Sequence, residues 1–203
     1  MKATTTLPAS YRKVCDIDLA KNKKLFLLVN GLCLLIAAIL TVLGMLFGAP
    51  ISAFFDVENG LKAFLPRAGA LIGGFVLYVI LHELVHGIFM RAYSGVRPHY
   101  GFKLAYAYAG SDAYFARTPY LVISLAPVVI WGGVLGVLSA VASPTWFWVF
   151  YFIEVMNLSG AAGDFYVTVF MLKMPADILV QDTGTAMSVY SAETTENGEK
   201  TSE

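Results

Sequence analysis

Four long apolar stretches, separated by short polar or mixed ones, frame this sequence. They run over residues 25–47, 68–93, 119–142 and 145–174. Each exceeds the roughly 20 apolar residues that an α-helix needs to cross a bilayer. The first is about twice the 7–15 residues of a signal-peptide core, which predicts a retained helix. Residues 48–67 hold Pro50, Asp56, Glu58, Asn59, Gly60, Lys62 and Pro66 and read as a loop with a short interfacial helix over 51–55. Between the second and third runs the period changes. Phe102, Leu104, Tyr106 and Tyr108 alternate with Lys103, Ala105 and Ala107, followed by Gly110-Ser111-Asp112 and Tyr114-Phe115. Period-two alternation with aromatics predicts a β-hairpin there. A second short hairpin is expected in the tail, about a turn at Asp182-Thr183-Gly184, with disorder from about residue 191. The expected fold is an all-α membrane protein with four transmembrane helices and one small hairpin between helices two and three. Its parts are a leader over 1–24, a membrane domain over 25–174 and a tail over 175–203.

Composition agrees with that frame and narrows it. The 203 residues are 58% hydrophobic and only 14% charged, against nearer a quarter charged in soluble domains. A formal net charge of zero gives no reason to expect a nucleic acid as partner. Cys15 and Cys33 read as free thiols, one before the first apolar run and one inside it. Local charge is more informative. Lys and Arg number six in the leader, three in 94–118, two in 48–67 and none in 143–145. The positive-inside rule then places both termini and the hairpin in the cytoplasm.

Within the second apolar run stands Leu81-His82-Glu83-Leu84-Val85-His86-Gly87. Histidines four apart lie about 40° from each other around a helix, so one turn offers two imidazoles to one metal ion. Glu83 can then serve as general base beside the open coordination position. Ionisable groups at membrane depth are costly, which argues for a function there. A catalytic zinc site needs a third protein ligand. Counted from Arg91, His86 lies about 8 Å and His82 about 13 Å inside the membrane; counted from Lys173, Asp164 also lies about 13 Å inside and Glu154 about 28 Å. Depth selects Asp164, over the loop candidates His99, Asp112 and Asp182. Glu154, Asn157, Ala161, Asp164 and Thr168 fall within about 80° around a helix, a polar stripe that must face the bundle interior. Small residues at 160–163 let this helix approach the motif helix or unwind locally. Two imidazoles and a carboxylate suit Zn²⁺ better than magnesium or calcium.

These residues also carry a resemblance. His82-Glu83-Leu84-Val85-His86 in a transmembrane helix, with Asn157 and Asp164 on a later one, resembles the intramembrane zinc proteases of the site-2 protease type. Over roughly residues 65–190 the chain resembles the zincin-peptidase family of small bacterial membrane proteins, through Gly101-Phe102, Ala126-Pro127 and the segment from Asn157 to Asp164. The resemblance implies a multi-pass metalloprotease of the bacterial cell membrane. It would hold one zinc on His82, His86 and Asp164, use Glu83 as base, and act on membrane-protein or membrane-proximal peptide segments. It implies a hairpin that binds an extended substrate, with Phe102 and Tyr106 facing it. Asn157 is a candidate for a hydrogen bond to substrate backbone, or for one between helices. Two other classes stay open: a non-catalytic scaffold with a structural metal, and a metal-ion transporter.

Overall fold

The computed structural model describes residues 2–18, 21–55, 60–103 and 106–192. The expected disordered end, 193–203, lies outside them, as do Asp56, Glu58 and Asn59. In chain order the elements are β1 (Ala3–Thr4), β2 (Tyr11–Ile17), α1 (Lys23–Phe47), α2 (Ile51–Phe55), α3 (Leu61–Ser94), β3 (His99–Lys103), β4 (Tyr106–Gly110) and β5 (Tyr114–Ala116). There follow α4 (Arg117–Val141), α5 (Pro144–Gly160), α6 (Ala162–Leu172), β6 (Leu179–Asp182) and β7 (Met187–Ala192). Helices α1, α3, α4 and the α5–α6 pair are each long and apolar enough to cross a membrane. Leu27, Leu34, Phe47, Ile72, Val129, Val137 and Val141 lie exposed on them, as lipid-facing side chains do, since acyl chains are as apolar as leucine.

The motif helix α3 is longer than the apolar run suggested, because Pro66 and Arg67 do not end it. Pro66 is the sixth residue of α3, so it forgoes one helical bond, to the Lys62 carbonyl, without ending the helix. Arg67 is buried, donating from Nε to the Ala63 carbonyl and from a guanidinium nitrogen to Ala53 of α2. At the other end Gly95 takes a left-handed conformation (φ 72°), and its N–H closes on the Arg91 carbonyl.

The fourth candidate span is broken near its middle. α5 ends at Gly160, α6 begins at Ala162, and the Ala161 N–H is shared between the Asn157 and Ser159 carbonyls. Glycine weakens a helix, and the small-residue run is where this one interrupts. Ala161 and Ala162 are the buried members of that run, whereas a side chain on Gly160 or Gly163 would meet open space. On α3 the same holds for Gly69 and Gly73; Gly74 alone of the three makes room for a neighbour, Ile153 of α5.

The all-α expectation needs a correction. The leader, the segment before α4 and the tail together form a five-stranded antiparallel sheet of order β1-β5-β6-β7-β2. Its inner face, with Ile17, Phe115, Ile178, Val180 and Val189, packs on Met90, Tyr120, Ile123, Val167 and Met171 and covers one end of the bundle. A second core, of Phe54, Tyr78, Leu135, Trp148, Val149 and Ile153, fills the opposite half. β3 and β4 form a separate hairpin, with Lys103 opposite Tyr106 and His99 opposite Gly110. β3 and β4 are therefore joined between Lys103 and Tyr106, and not at Gly110-Ser111-Asp112. Leu104 and Ala105 carry no turn chemistry, so the alternation runs through the reversal without marking it.

Candidate metal centre

Three residues of α3 stand at intervals of four: Tyr78, His82 and His86. All three therefore face the same side, towards α4 and the fourth span. The break at Ala161 sets Asp164 in the first turn of α6, where the helix dipole favours a carboxylate. His82 Nε2 lies 3.2 Å from His86 Nε2. Asp164 Oδ2 is 3.5 Å from His82 Nε2, and Oδ1 is 3.6 Å from His86 Nε2. Tetrahedral zinc, with ligands at about 2.0–2.1 Å, sets neighbouring ligand atoms about 3.3 Å apart. Among the described residues this is the one group of three or more such side chains able to share an ion. The two imidazoles are only 11% and 12% exposed and the carboxylate 24%, so the site is nearly dry yet open on the aspartate side.

Hydrogen bonds fix which ring nitrogens face inward. His86 Nδ1 is 2.9 Å from the Ile123 carbonyl, which can only accept, so Nδ1 carries the proton. That carbonyl is free because Pro127, four residues on, has no N–H to offer it. His82 Nδ1 is 2.8 Å from the Tyr78 hydroxyl, which lies 2.9 Å from Asn157 Oδ1. The Nε2 atoms of two imidazoles and a carboxylate thus converge at 3.2–3.6 Å. Such convergence of lone pairs in a dry pocket calls for a cation. The residues fit zinc: nitrogen and oxygen ligands at tetrahedral spacing, each imidazole anchored through its other nitrogen.

Glu83 follows His82 on α3, partly buried, and the backbone amide of Ala109 on β4 lies against its carboxylate. The hairpin rests on the motif helix just beyond the site, where the Tyr100 side chain covers Gly87 and leaves no space for a Cβ. Asp182, the last residue of β6, accepts from the Tyr120 hydroxyl at 2.5 Å and from the Gly184 amide at 2.8 Å. Desolvation pushes its carboxyl up from the ordinary range despite both bonds, and the charge of the nearby Asp164 adds to the rise. Asp182 stays outside the three-residue cluster. So do exposed Asp112 and His99, whose Nε2 is 3.4 Å from the Thr183 carbonyl.

Of the residues expected to meet substrate, Phe102 is 74% exposed on β3 and Tyr106 opens β4. Asn157 is fully buried. Its Nδ2 donates to the Val128 carbonyl and to Glu154 Oε2, both at 3.2 Å, so the interhelical alternative is the one observed. Tyr78 and the Pro127-freed carbonyl are site features that motif reading passed over. The i, i+4 spacing of Tyr78 before His82 is the signal that could have found the first.

The pair His82–His86, Glu83, the β3–β4 hairpin and Asp164 all fall within residues 75–179, and over those residues the chain matches a family model described as "Putative zincin peptidase". The chain belongs to that family. The zincin-peptidase match stops inside β6, so the leader, α1 and β7 lie beyond it. A relative is the "Uncharacterized 24.7 kDa protein in gap 5'region" of Pyrococcus woesei, 29% identical over 150 residues. That alignment covers 71% of this chain and 65% of the relative, just under two thirds of the relative's length. No solved structure matches the chain.

Proposed function

We propose that this zincin-family member is an intramembrane zinc metallopeptidase that hydrolyses peptide bonds in or near the bilayer. The observation that carries the reading is the meeting of His82 Nε2, His86 Nε2 and an Asp164 carboxylate oxygen within a bundle of helices long and apolar enough to cross a membrane. Bound there, zinc would supply Lewis-acid polarisation of water and of the scissile carbonyl. Glu83, one residue from a ligand, takes a proton from the attacking water as its oxygen bonds to the carbonyl carbon. It returns that proton to the nitrogen as the C–N bond breaks. The Ala109 amide against Glu83 holds the carboxylate in place and brings the hairpin to the edge of the site.

Substrates in this reading are transmembrane or membrane-proximal segments in extended form, because helical carbonyls are already occupied. They add as a strand beside the hairpin, whose backbone supplies donors and acceptors while the exposed Phe102 supplies a side-chain contact. Both termini and the hairpin lie on the cytoplasmic side, following the excess of Lys and Arg in those segments.

The test is Glu83→Gln. Wild type and variant, purified in detergent, should each retain about one zinc per chain, while cleavage of tagged transmembrane peptides, read by mass spectrometry, falls about 10²–10⁴-fold in the variant. Unchanged cleavage in Glu83→Gln, or wild-type protein without tightly held zinc, removes the peptidase reading. Full zinc with no cleavage by wild type would favour the scaffold.

A further inference from the structure

Asn157 sits at the centre of the bundle with every polar atom engaged, one residue removed from the metal site. Its two amide hydrogens go to the Val128 carbonyl and Glu154 Oε2, which fixes the amide with its oxygen towards Tyr78. A tyrosine has a single O–H. The 2.9 Å contact with Asn157 Oδ1 takes that hydrogen, since two oxygens so close in a buried site need a proton between them. The 2.8 Å contact between the Tyr78 oxygen and His82 Nδ1 then has one arrangement, with Nδ1–H as donor. The hydrogen of His82 is thereby assigned, and Nε2 is left with its lone pair towards His86 and Asp164.

We propose that Tyr78 and Asn157 are positioning residues that act in series: Asn157 orients the Tyr78 hydroxyl, and Tyr78 holds His82 in its metal-binding tautomer and rotamer. This rests on the metal-centre reading above. It gives Asn157 a role that needs no contact with substrate, and explains why a buried asparagine is kept in a membrane span, where an unsatisfied amide is costly. Outer partners of metal-bound histidines commonly change metal affinity 10–100-fold when removed.

Zinc affinity of the full chain in detergent, measured by competition with a chromophoric chelator, tests the proposal. Tyr78→Phe should weaken zinc binding about 10–100-fold. Asn157→Leu should weaken it by less, and the double variant by no more than Tyr78→Phe alone, because the two act along one chain. Cobalt-loaded wild type should show two slowly exchanging, paramagnetically shifted imidazole N–H resonances, and Tyr78→Phe should lose one to exchange with solvent. If Asn157→Leu binds zinc as wild type does but raises KM, or if the two losses add in full, the serial role is wrong. Asp164→Ala separates the layers. Undiminished affinity there overturns the metal centre itself, whereas lost affinity there with normal binding by Tyr78→Phe overturns only the positioning pair.

Discussion

Pro127 lacks the N–H that would otherwise bond the Ile123 carbonyl in α4, and that carbonyl accepts His86 Nδ1 instead. The consequence runs against the usual expectation for a proline in a helix. Pro127→Ala gives the Ile123 carbonyl a competing helical donor and regularises α4, so the metal-free protein should melt no lower than wild type. Zinc affinity should nevertheless fall, about tenfold by the usual effect of removing a histidine's outer partner. Chelator competition beside a melting curve checks both halves. At this scale the sequence showed much of the centre. The four-residue spacing of His82 and His86 defines a helix face, and helical rise from Lys173 brings Asp164 to their level. What was hidden is which ring nitrogen bears a hydrogen, since that depends on contacts of Tyr78 and Ile123 with groups 79 and 37 residues away in sequence from their partners.

Among the elements, the helices were legible because an apolar run of membrane length has few other readings, while the sheet was not. The pairing of β2 with β7 shifts between Lys13 and Cys15. Val14 bulges out, 54% exposed, so the period-two alternation that would mark the strand breaks half-way. Its partner lies 170 residues on, beyond any local pattern. The end of β6 makes this sheet sensitive to pH. Asp182 is half-buried and desolvation holds its carboxyl above the ordinary range, so the folded protein favours the protonated form. Stability from this group is complete below the ordinary carboxylate range, near pH 4, and is lost as pH rises through the raised value. Asp16 acts in the opposite sense. Lys13 and Ser188 hold its carboxyl below the ordinary range, so its contribution is present above that range and lost only in stronger acid. Metal-free wild type should therefore lose melting temperature as pH rises from about 4, and Asp182→Asn should flatten that slope. An equal slope in both would remove Asp182 from the account.

At the scale of the whole molecule, pairing of β2 with β7 puts residues 11–17 and 187–192 at the same end of the bundle, as an even number of crossings requires. Which face of the membrane that is can be measured at Val14. Cys15 is a poor reporter, because burial and then the charge of Asp16 push its thiol up, leaving little thiolate to react. Val14→Cys, with Cys15 and Cys33 changed to serine, should react with a membrane-impermeant maleimide in inside-out vesicles and stay unlabelled on intact cells. Labelling from outside would reverse the orientation.

The strand order β1-β5-β6-β7-β2 also sets a timetable for biosynthesis. Residues 11–17 are made before α1, yet the strand they join, 187–192, follows α6. A nascent chain thus completes the helices that carry its two histidines and the aspartate while that end of the bundle still lacks its cover. Asp182 and Thr183 arrive only with the last hairpin, so an unfinished copy holds the candidate metal centre in an incomplete housing.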